Sequence, residues 1–306
     1  MIFRFHLLVV CLMAALSAAC SENSSTENVA NTNEATIVTL NYPLFYFTEK
    51  LTNGLARVIL PLPADIDPAQ WNPGLDDILQ MQKARLIILN GAGYSTWLDK
   101  VSLSPDRLVN SSLKSKEQWI SLQGETTHSH GPQGEHSHRG YAFTTWMDIS
   151  LAKQQVSTIA RALVRLWPDQ QQKIAQRELK LLGDLTSLDE SYEIQARRLD
   201  GTFLIYSHPV YQYFERRYQL SGHSLHWEAG EMPADEQWQS LDKLLTGKTK
   251  VLFVWEDKPS AMIADRMHGI GLEYVVIRPA ANVGNLDWLS EQQSNLKRLH
   301  NVTDTP

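Results

Sequence analysis

Residues 84–91 read ARLIILNG, and this stretch sets the fold class. Its four consecutive apolar residues, Leu86 to Leu89, are typical of a strand buried on both faces, and Asn90-Gly91 marks its end. Upstream, apolar residues at helical spacing run over 74–83, and a short strand pattern covers 57–61. Strand, helix and strand in succession predict a parallel sheet with helices on both faces.

The same alternation recurs along most of the chain. A strand pattern over 35–40 precedes a helical one over 45–55, and an amphipathic helix is indicated over 149–167. A helix of about 30 residues follows over 170–199, with a length of about 45 Å. Strands and helices then alternate again from 203 to 277. We therefore predict an α/β fold with two parallel-sheet lobes joined by a long rigid helix, and a ligand cleft between the lobes.

The N-terminus is typical of a secretory signal peptide. Arg4 is followed by an apolar run, Leu7 to Leu16, and then by small residues up to Cys20. Ser17-Ala-Ala-Cys20 resembles a bacterial lipoprotein cleavage box, although its leucine stands one place early. The alternative is ordinary signal cleavage near Cys20. We expect lipidation at Cys20, and hence a periplasmic or cell-envelope location with a lipid anchor.

These patterns also predict where each segment and lobe of the chain begins and ends. The expected parts are a signal peptide over 1–20, a flexible polar tether over 21–35, an N-terminal lobe over 36–168 with a His-rich loop over 125–140, a linking helix over 169–199 and a C-terminal lobe over 200–306. Cys11 lies within the signal, so the mature chain keeps no cysteine pair for an internal disulfide. The net charge of −6 gives no reason to expect nucleic acid as a partner.

The His-rich loop contains four of the ten histidines, within THSHGPQGEHSHRG at 127–140. They form two His-x-His pairs, His128 with His130 and His136 with His138. Residues two apart in an extended segment face the same side, so each pair can hold an ion as a pincer. Glycine and proline between the pairs allow one to fold onto the other, and four imidazoles suit a tetrahedral zinc site. The alternative is a solvated loop that captures metal weakly.

Five motifs, in this order, resemble those of the periplasmic substrate-binding proteins of zinc and manganese ABC importers. They are Ile66-Asp-Pro-Ala-Gln-Trp-Asn-Pro73, Ala84-Arg-Leu-Ile-Ile-Leu-Asn-Gly91 with Trp97-Leu98, Ala142-Phe-Thr-Thr-Trp-Met-Asp148, Ser207-His-Pro-Val-Tyr-Gln-Tyr-Phe-Glu-Arg-Arg-Tyr-Gln-Leu220 and Ile277-Arg-Pro279. The resemblance extends over almost all of 36–299, and a His-rich loop is a feature of the zinc-specific members. It implies a two-lobe binding protein and an ABC permease in the inner membrane as its partner.

The resemblance also identifies four positions where the family holds its ion with three histidines and a carboxylate. Here they are Ala69, Thr144, His208 and Arg278. A methyl group cannot ligate, a neutral hydroxyl is a poor zinc ligand, and a guanidinium repels a cation. Only His208 therefore remains as a candidate ligand of the standard cleft site.

Two hypotheses concern the altered cleft. The site at His208 is completed either by loop histidines that swing in or by Glu256, which follows the strand pattern at 251–254. Arg278 either binds an anion, or replaces the charge of the ion by pairing with a carboxylate such as Asp257 and locks the lobes; we favour this internal counter-ion. His223 and His226 are interpreted as independent surface histidines.

No catalytic motif is present, since the mature chain has no cysteine nucleophile, no Gly-x-Ser-x-Gly and no His-Glu-x-x-His. We therefore predict a binding protein rather than an enzyme, with Zn(II) as its bound substrate. The expected function is Zn(II) capture for uptake, mainly through the His-rich loop. The alternative is a degenerate relative acting as a metal buffer, an accessory or an interaction lipoprotein. We expect a monomer that meets the membrane only through its lipid anchor.

Overall fold

Short apolar strands form two parallel sheets in the computed structural model, which describes residues 35–64, 66–122, 126–129, 135–138 and 140–304. The first sheet contains β1 (Thr36–Thr39), β2 (Arg57–Ile59), β3 (Leu86–Leu89) and β4 (Leu108–Asn110), in the spatial order β2-β1-β3-β4. An antiparallel hairpin follows, of β5 (Thr126–Ser129) and β6 (Glu135–His138). The second sheet contains β7 (Phe203–Tyr206), β8 (Gly222–Ser224), β9 (Val251–Trp255) and β10 (Tyr274–Val276), in the order β10-β9-β7-β8.

Helices cover both sheets. They are α1 (Tyr42–Thr52), α2 (Leu75–Lys83), α3 (Ile149–Leu166), α4 (Gln171–Arg198), α5 (Gln212–Tyr218), α6 (Asp235–Leu245), α7 (Ala261–Gly269) and α8 (Trp288–Thr303). All neighbouring strands in the two four-stranded sheets are parallel. The predicted α/β class with two parallel-sheet lobes is therefore confirmed.

Helix α4 joins the lobes. Its 28 residues span about 42 Å, enough to run along both sheets. Apolar residues recur on one face at intervals of three and four, which is the spacing that places them in one stripe; they include Leu181, Leu185, Leu188 and Tyr192. This stripe packs against α3, α1 and α8, so the helix is held along its length. The buried stripe explains why so long a segment is stable as a single helix.

Some elements differ from the sequence expectation. Helix α1 begins at Tyr42, earlier than expected, because the Asn41 side chain accepts a hydrogen bond from the Leu44 N–H at 3.0 Å and Pro43 suits a first turn. Strands β4 and β8 are too short to show a period, and they and helix α8 were not expected. At the start of β8, a Cβ on Gly222 would lie 2.5 Å from the Leu204 carbonyl oxygen, so this close pairing requires glycine.

One hydrophobic core extends through both lobes. Trp288 at the start of α8 is fully buried, and its ring lies 5.1 Å from that of Phe47 and 5.9 Å from that of Tyr46, both on α1. Within the described residues, no helix combines the length and apolarity needed to cross a membrane. The predictions for the signal peptide, the tether up to residue 34 and Cys20 concern positions outside the described residues.

Candidate metal centre

The order of the second sheet determines which side chains meet at its carboxyl edge. Strand β7 lies between β9 and β8, so the residues that follow these three strands are neighbours. His208 follows β7, Glu256 follows β9 and Glu228 lies beyond β8. The Oε1 atom of Glu256 lies 2.7 Å from His208 Nδ1, and the Oε1 atom of Glu228 lies 3.2 Å from His208 Nε2. The imidazole is therefore held between two carboxylates.

Backbone and side-chain hydrogen bonds fix this arrangement. The Ser207 N–H donates to the Val254 carbonyl at 2.8 Å, and the Ser207 hydroxyl accepts from the Glu256 N–H at 3.2 Å. Both bonds connect the end of β7 to the end of β9. They place His208 and Glu256 side by side at fixed points of the sheet rather than on independent loops.

The two carboxylates change the protonation of His208. Its side chain is only 5% exposed, and such burial by itself lowers a histidine pKa. The hydrogen bonds and negative charges of Glu228 and Glu256 outweigh this effect and raise the pKa of His208 to about 10. At neutral pH the side chain is therefore an imidazolium, and a metal ion bound at Nε2 displaces a proton.

His226 also belongs to this cluster. The Leu225 N–H donates to the Tyr206 carbonyl at 2.8 Å and the Trp227 N–H to the Ser207 carbonyl at 3.0 Å, so the chain beyond β8 stays extended beside β7. Trp227 is buried, and its neighbours in an extended chain point to the opposite side. The His226 ring lies 6.3 Å from the His208 ring, centroid to centroid. His226 is exposed, as expected from the sequence, but it is not independent of His208. The i, i+2 spacing of His226 and Glu228 in an extended segment is the sequence signal that points to this side.

Thr144 and Ala69, two of the positions that the resemblance identified with ion ligands, contribute to packing. Thr144 is buried, and its hydroxyl donates to the Val210 carbonyl of the other lobe at 2.6 Å. Two residues further on, the Trp146 indole N–H donates to the Pro279 carbonyl at 2.9 Å. Ala69 is half-buried and packs against the core. Hydrogen bonds thus join the lobes next to two of the positions that were expected, by resemblance, to correspond to ion ligands.

Arg278 forms ion pairs with its own lobe. Its Nη2 lies 2.6 Å from Asp257 Oδ1, and its Nη1 lies 3.5 Å from Glu291 Oε1. Burial by itself raises the pKa of Asp257, but the hydrogen bonds from Arg278 and from the Lys258 N–H lower it below its usual value. The pair that we favoured is present. Because Asp257 and Glu291 both belong to the C-terminal lobe, this pair does not itself link the two lobes.

In the His-rich hairpin, the backbone of Thr126–Ser129 pairs with that of Glu135–His138. Strands β5 and β6 pair so that His128 lies opposite His136, and Thr126 opposite His138. His130 lies outside the described residues. In the described part of the chain, no three histidine, cysteine, aspartate or glutamate side chains are already grouped as a metal site.

Comparison with known families and sequences finds similarity to zinc-uptake and zinc-binding proteins. The family model described as "ZnuA: Zinc-uptake complex component A periplasmic" matches residues 37–302. The chain is 28% identical over 281 residues to the high-affinity zinc uptake system protein ZnuA of Bacillus subtilis, covering 85% of this chain and 83% of that protein. It is 23% identical over 316 residues to the zinc-binding lipoprotein AdcA of Streptococcus pneumoniae, covering 98% of this chain but only 61% of AdcA.

Solved structures show the same fold. The metal-dependent lipoprotein YcdH from Bacillus subtilis superposes with a TM-score of 0.75 at 19% identity, covering 89% of this chain and 99% of that chain. Zn(II)-bound AdcA from Streptococcus pneumoniae superposes with a TM-score of 0.74 at 19% identity, covering 89% of this chain and 58% of that chain.

Proposed function

Because the chain belongs to the ZnuA family of periplasmic zinc-uptake components, we propose that it captures Zn(II) outside the cytoplasm for uptake. The observation that carries this proposal is the pairing of β5 with β6, which sets His128 opposite His136 in the hairpin backbone. Imidazole favours zinc, copper or nickel over manganese. With three of the four family ligand positions occupied by Ala69, Thr144 and Arg278, we assign the principal site to the hairpin.

The ligands that we propose for this principal site are His128, His130, His136 and His138. Replacing all four with glutamine is expected to remove most high-affinity zinc binding, measured by competition with a chromophoric chelator. Binding by the natural chain should also weaken as pH falls through about 6.5, because only neutral imidazole ligates.

The matched control replaces His268 and His300 with glutamine, since both are exposed histidines on helices of the C-terminal lobe. This control should bind zinc as the natural chain does. Unchanged affinity in the four-histidine variant contradicts the assignment of the principal site to the hairpin.

The recipient of the ion is proposed to be an ABC permease in the inner membrane. The family is one component of a zinc-uptake complex, and a captured ion needs a membrane partner to enter the cell. The family match favours this role over that of a metal buffer or an accessory protein without transport.

Attachment to the membrane through a lipid on Cys20 is the second part of the proposal. Replacing Cys20 with alanine should release the protein into the soluble periplasmic fraction, whereas Cys11→Ala, within the expected signal peptide, should leave it with the membranes. Fractionation followed by immunoblotting measures the distribution. Equal solubility of the natural chain and the Cys20→Ala variant contradicts lipidation.

A further inference from the structure

We propose that His208 and Glu228 form a second metal-binding site within the C-terminal lobe, completed by His226 and oriented by Glu256. This inference rests on the proposed function only for the identity of the ion, a zinc-like divalent cation. None of its residues lies in the hairpin, so the two sites can be tested separately. In place of the carboxylate that the resemblance would put at Arg278, the site takes one from the segment beyond β8.

The two donor atoms are close enough to share one ion. His208 Nε2 and Glu228 Oε1 lie 3.2 Å apart. Two ligands that each bind zinc at about 2.0–2.2 Å in a tetrahedron are separated by about 3.3–3.5 Å. The separation of the pair is close to one edge of a zinc coordination tetrahedron, and the carboxylate of Glu228 has only to move off the axis of the ring N–H for an ion to replace the proton between the two atoms.

His226 can reach the same ion from the neighbouring segment. Its side chain is exposed and lies on the same side of the extended chain as Glu228, while Trp227 between them anchors the backbone in the core. The ring centroid is 6.3 Å from that of His208, a distance that rotation about the side-chain torsions of His226 can shorten. His226 then supplies a third ligand, and water or an incoming group takes the fourth position, as in open zinc sites.

Glu256 orients the ring of His208. Metal-bound histidines almost always donate their second ring N–H to a carboxylate or carbonyl, which fixes the tautomer and the ring orientation. Glu256 lies 2.7 Å from His208 Nδ1 and thereby leaves Nε2 for the ion. Because the two ring nitrogens point in divergent directions, Glu256 does not reach an ion held at Nε2. We therefore assign to Glu256 a positioning role, in place of the ligand role considered from the sequence.

Charge also favours cation binding at this place. Glu228 and Glu256 place two carboxylates around one imidazole, so the ion meets negative charge directly from Glu228 and, across the His208 ring, from Glu256. The guanidinium of Arg278 is already paired with Asp257 and Glu291, so its charge is compensated within the lobe. A divalent cation at His208 therefore does not face an unpaired positive charge from Arg278.

The test uses the full chain with the four hairpin histidines replaced by glutamine. Zn(II) affinity is measured by chelator competition, and Co(II) absorption reports four-coordinate geometry. We expect one remaining site, whose affinity falls at least tenfold with Glu228→Gln and also falls with His226→Gln. Glu256→Ala should weaken it by 10–100-fold, as is typical for loss of an outer-shell partner. Glu256→Gln, which keeps an acceptor for Nδ1, should restore most of the affinity and the Co(II) spectrum.

Matched controls are His223→Gln and Glu231→Gln, which change an exposed histidine and an exposed carboxylate in the same segment. Both should leave binding unchanged, and thermal melts without metal verify that each variant is folded. If the natural chain binds zinc but the hairpin variant binds none, or if Glu228→Gln has no effect, the second site is overturned while the proposed function stands. Absence of zinc binding by the natural chain overturns both.

Discussion

Replacing Trp146 with alanine is expected to lower the free energy of unfolding by about 3–5 kcal/mol, the usual cost of truncating a buried aromatic side chain. Trp146 is fully buried between the lobes, and its ring packs edge-on against Tyr94 at 5.7 Å. Its indole N–H donates to the Pro279 carbonyl of the opposite lobe. The substitution removes packing and an interlobe hydrogen bond together.

Two further variants separate these contributions. Trp146→Phe keeps most of the packing but leaves the Pro279 carbonyl without its donor, which should cost about 1–3 kcal/mol. Trp119→Ala removes a half-buried tryptophan from the same lobe and should cost less than Trp146→Ala. Chemical denaturation of the natural chain and of the three variants measures their free energies of unfolding. Equal losses for Trp119→Ala and Trp146→Ala contradict a special role for Trp146 in joining the lobes.

Asp189→Asn should lower the free energy of unfolding by about 3 kcal/mol at neutral pH, near the lower end for a broken buried ion pair. Asp189 on α4 is buried and accepts from Lys153 at 3.1 Å, from Arg217 at 2.9 Å and from the Tyr218 hydroxyl at 3.1 Å. These partners lie on α3 and α5, so one carboxylate ties three helices together. Lys153 and Arg217 each keep 26% side-chain exposure, which moderates the cost of losing their partner.

The contribution of Asp189 to the free energy of unfolding should decrease at acidic pH. Burial by itself raises the pKa of Asp189, but hydrogen bonds and charges from Arg217 and Lys153 lower it below the ordinary value of 3.8. A carboxyl with a depressed folded-state pKa stabilises the protein above its unfolded-state pKa, and this contribution is lost as pH falls through the folded-state pKa. The difference between the natural chain and Asp189→Asn should therefore shrink below about pH 3.9.

The control for this prediction is Asp184→Asn, one helical turn and a half earlier on α4. Asp184 pairs with Lys180 at 2.9 Å on an exposed surface, where such pairs contribute about 0.3–0.5 kcal/mol. Urea denaturation at several pH values compares the two variants. A loss for Asp189→Asn as small as that for Asp184→Asn would show that the three-helix network is not a stabilising feature.

The sequence by itself determined the fold class, because its patterns are local. Leu86 to Leu89 form a strand buried on both faces, and the apolar stripe of α4 is visible as intervals of three and four residues. The sequence also led to the prediction, by resemblance alone, that ligand positions are replaced at Ala69, Thr144 and Arg278. Short elements such as β4 and β8 were missed, since three residues are too few to reveal a period.

Only the tertiary structure decided which side chains meet His208. Glu256, 48 positions further along the chain, was considered from the sequence because it follows the strand pattern at 251–254, but Glu228, 20 positions further along, was not. The order β10-β9-β7-β8 makes the ends of β9, β7 and β8 adjacent, and this brings both carboxylates to the same imidazole. Strand order depends on long-range pairing and on how helices pack over the sheet, whereas the strands themselves depend on local sequence. For that reason the elements and the nearness of Glu256 could be predicted, whereas the meeting of Glu228 with His208 could not.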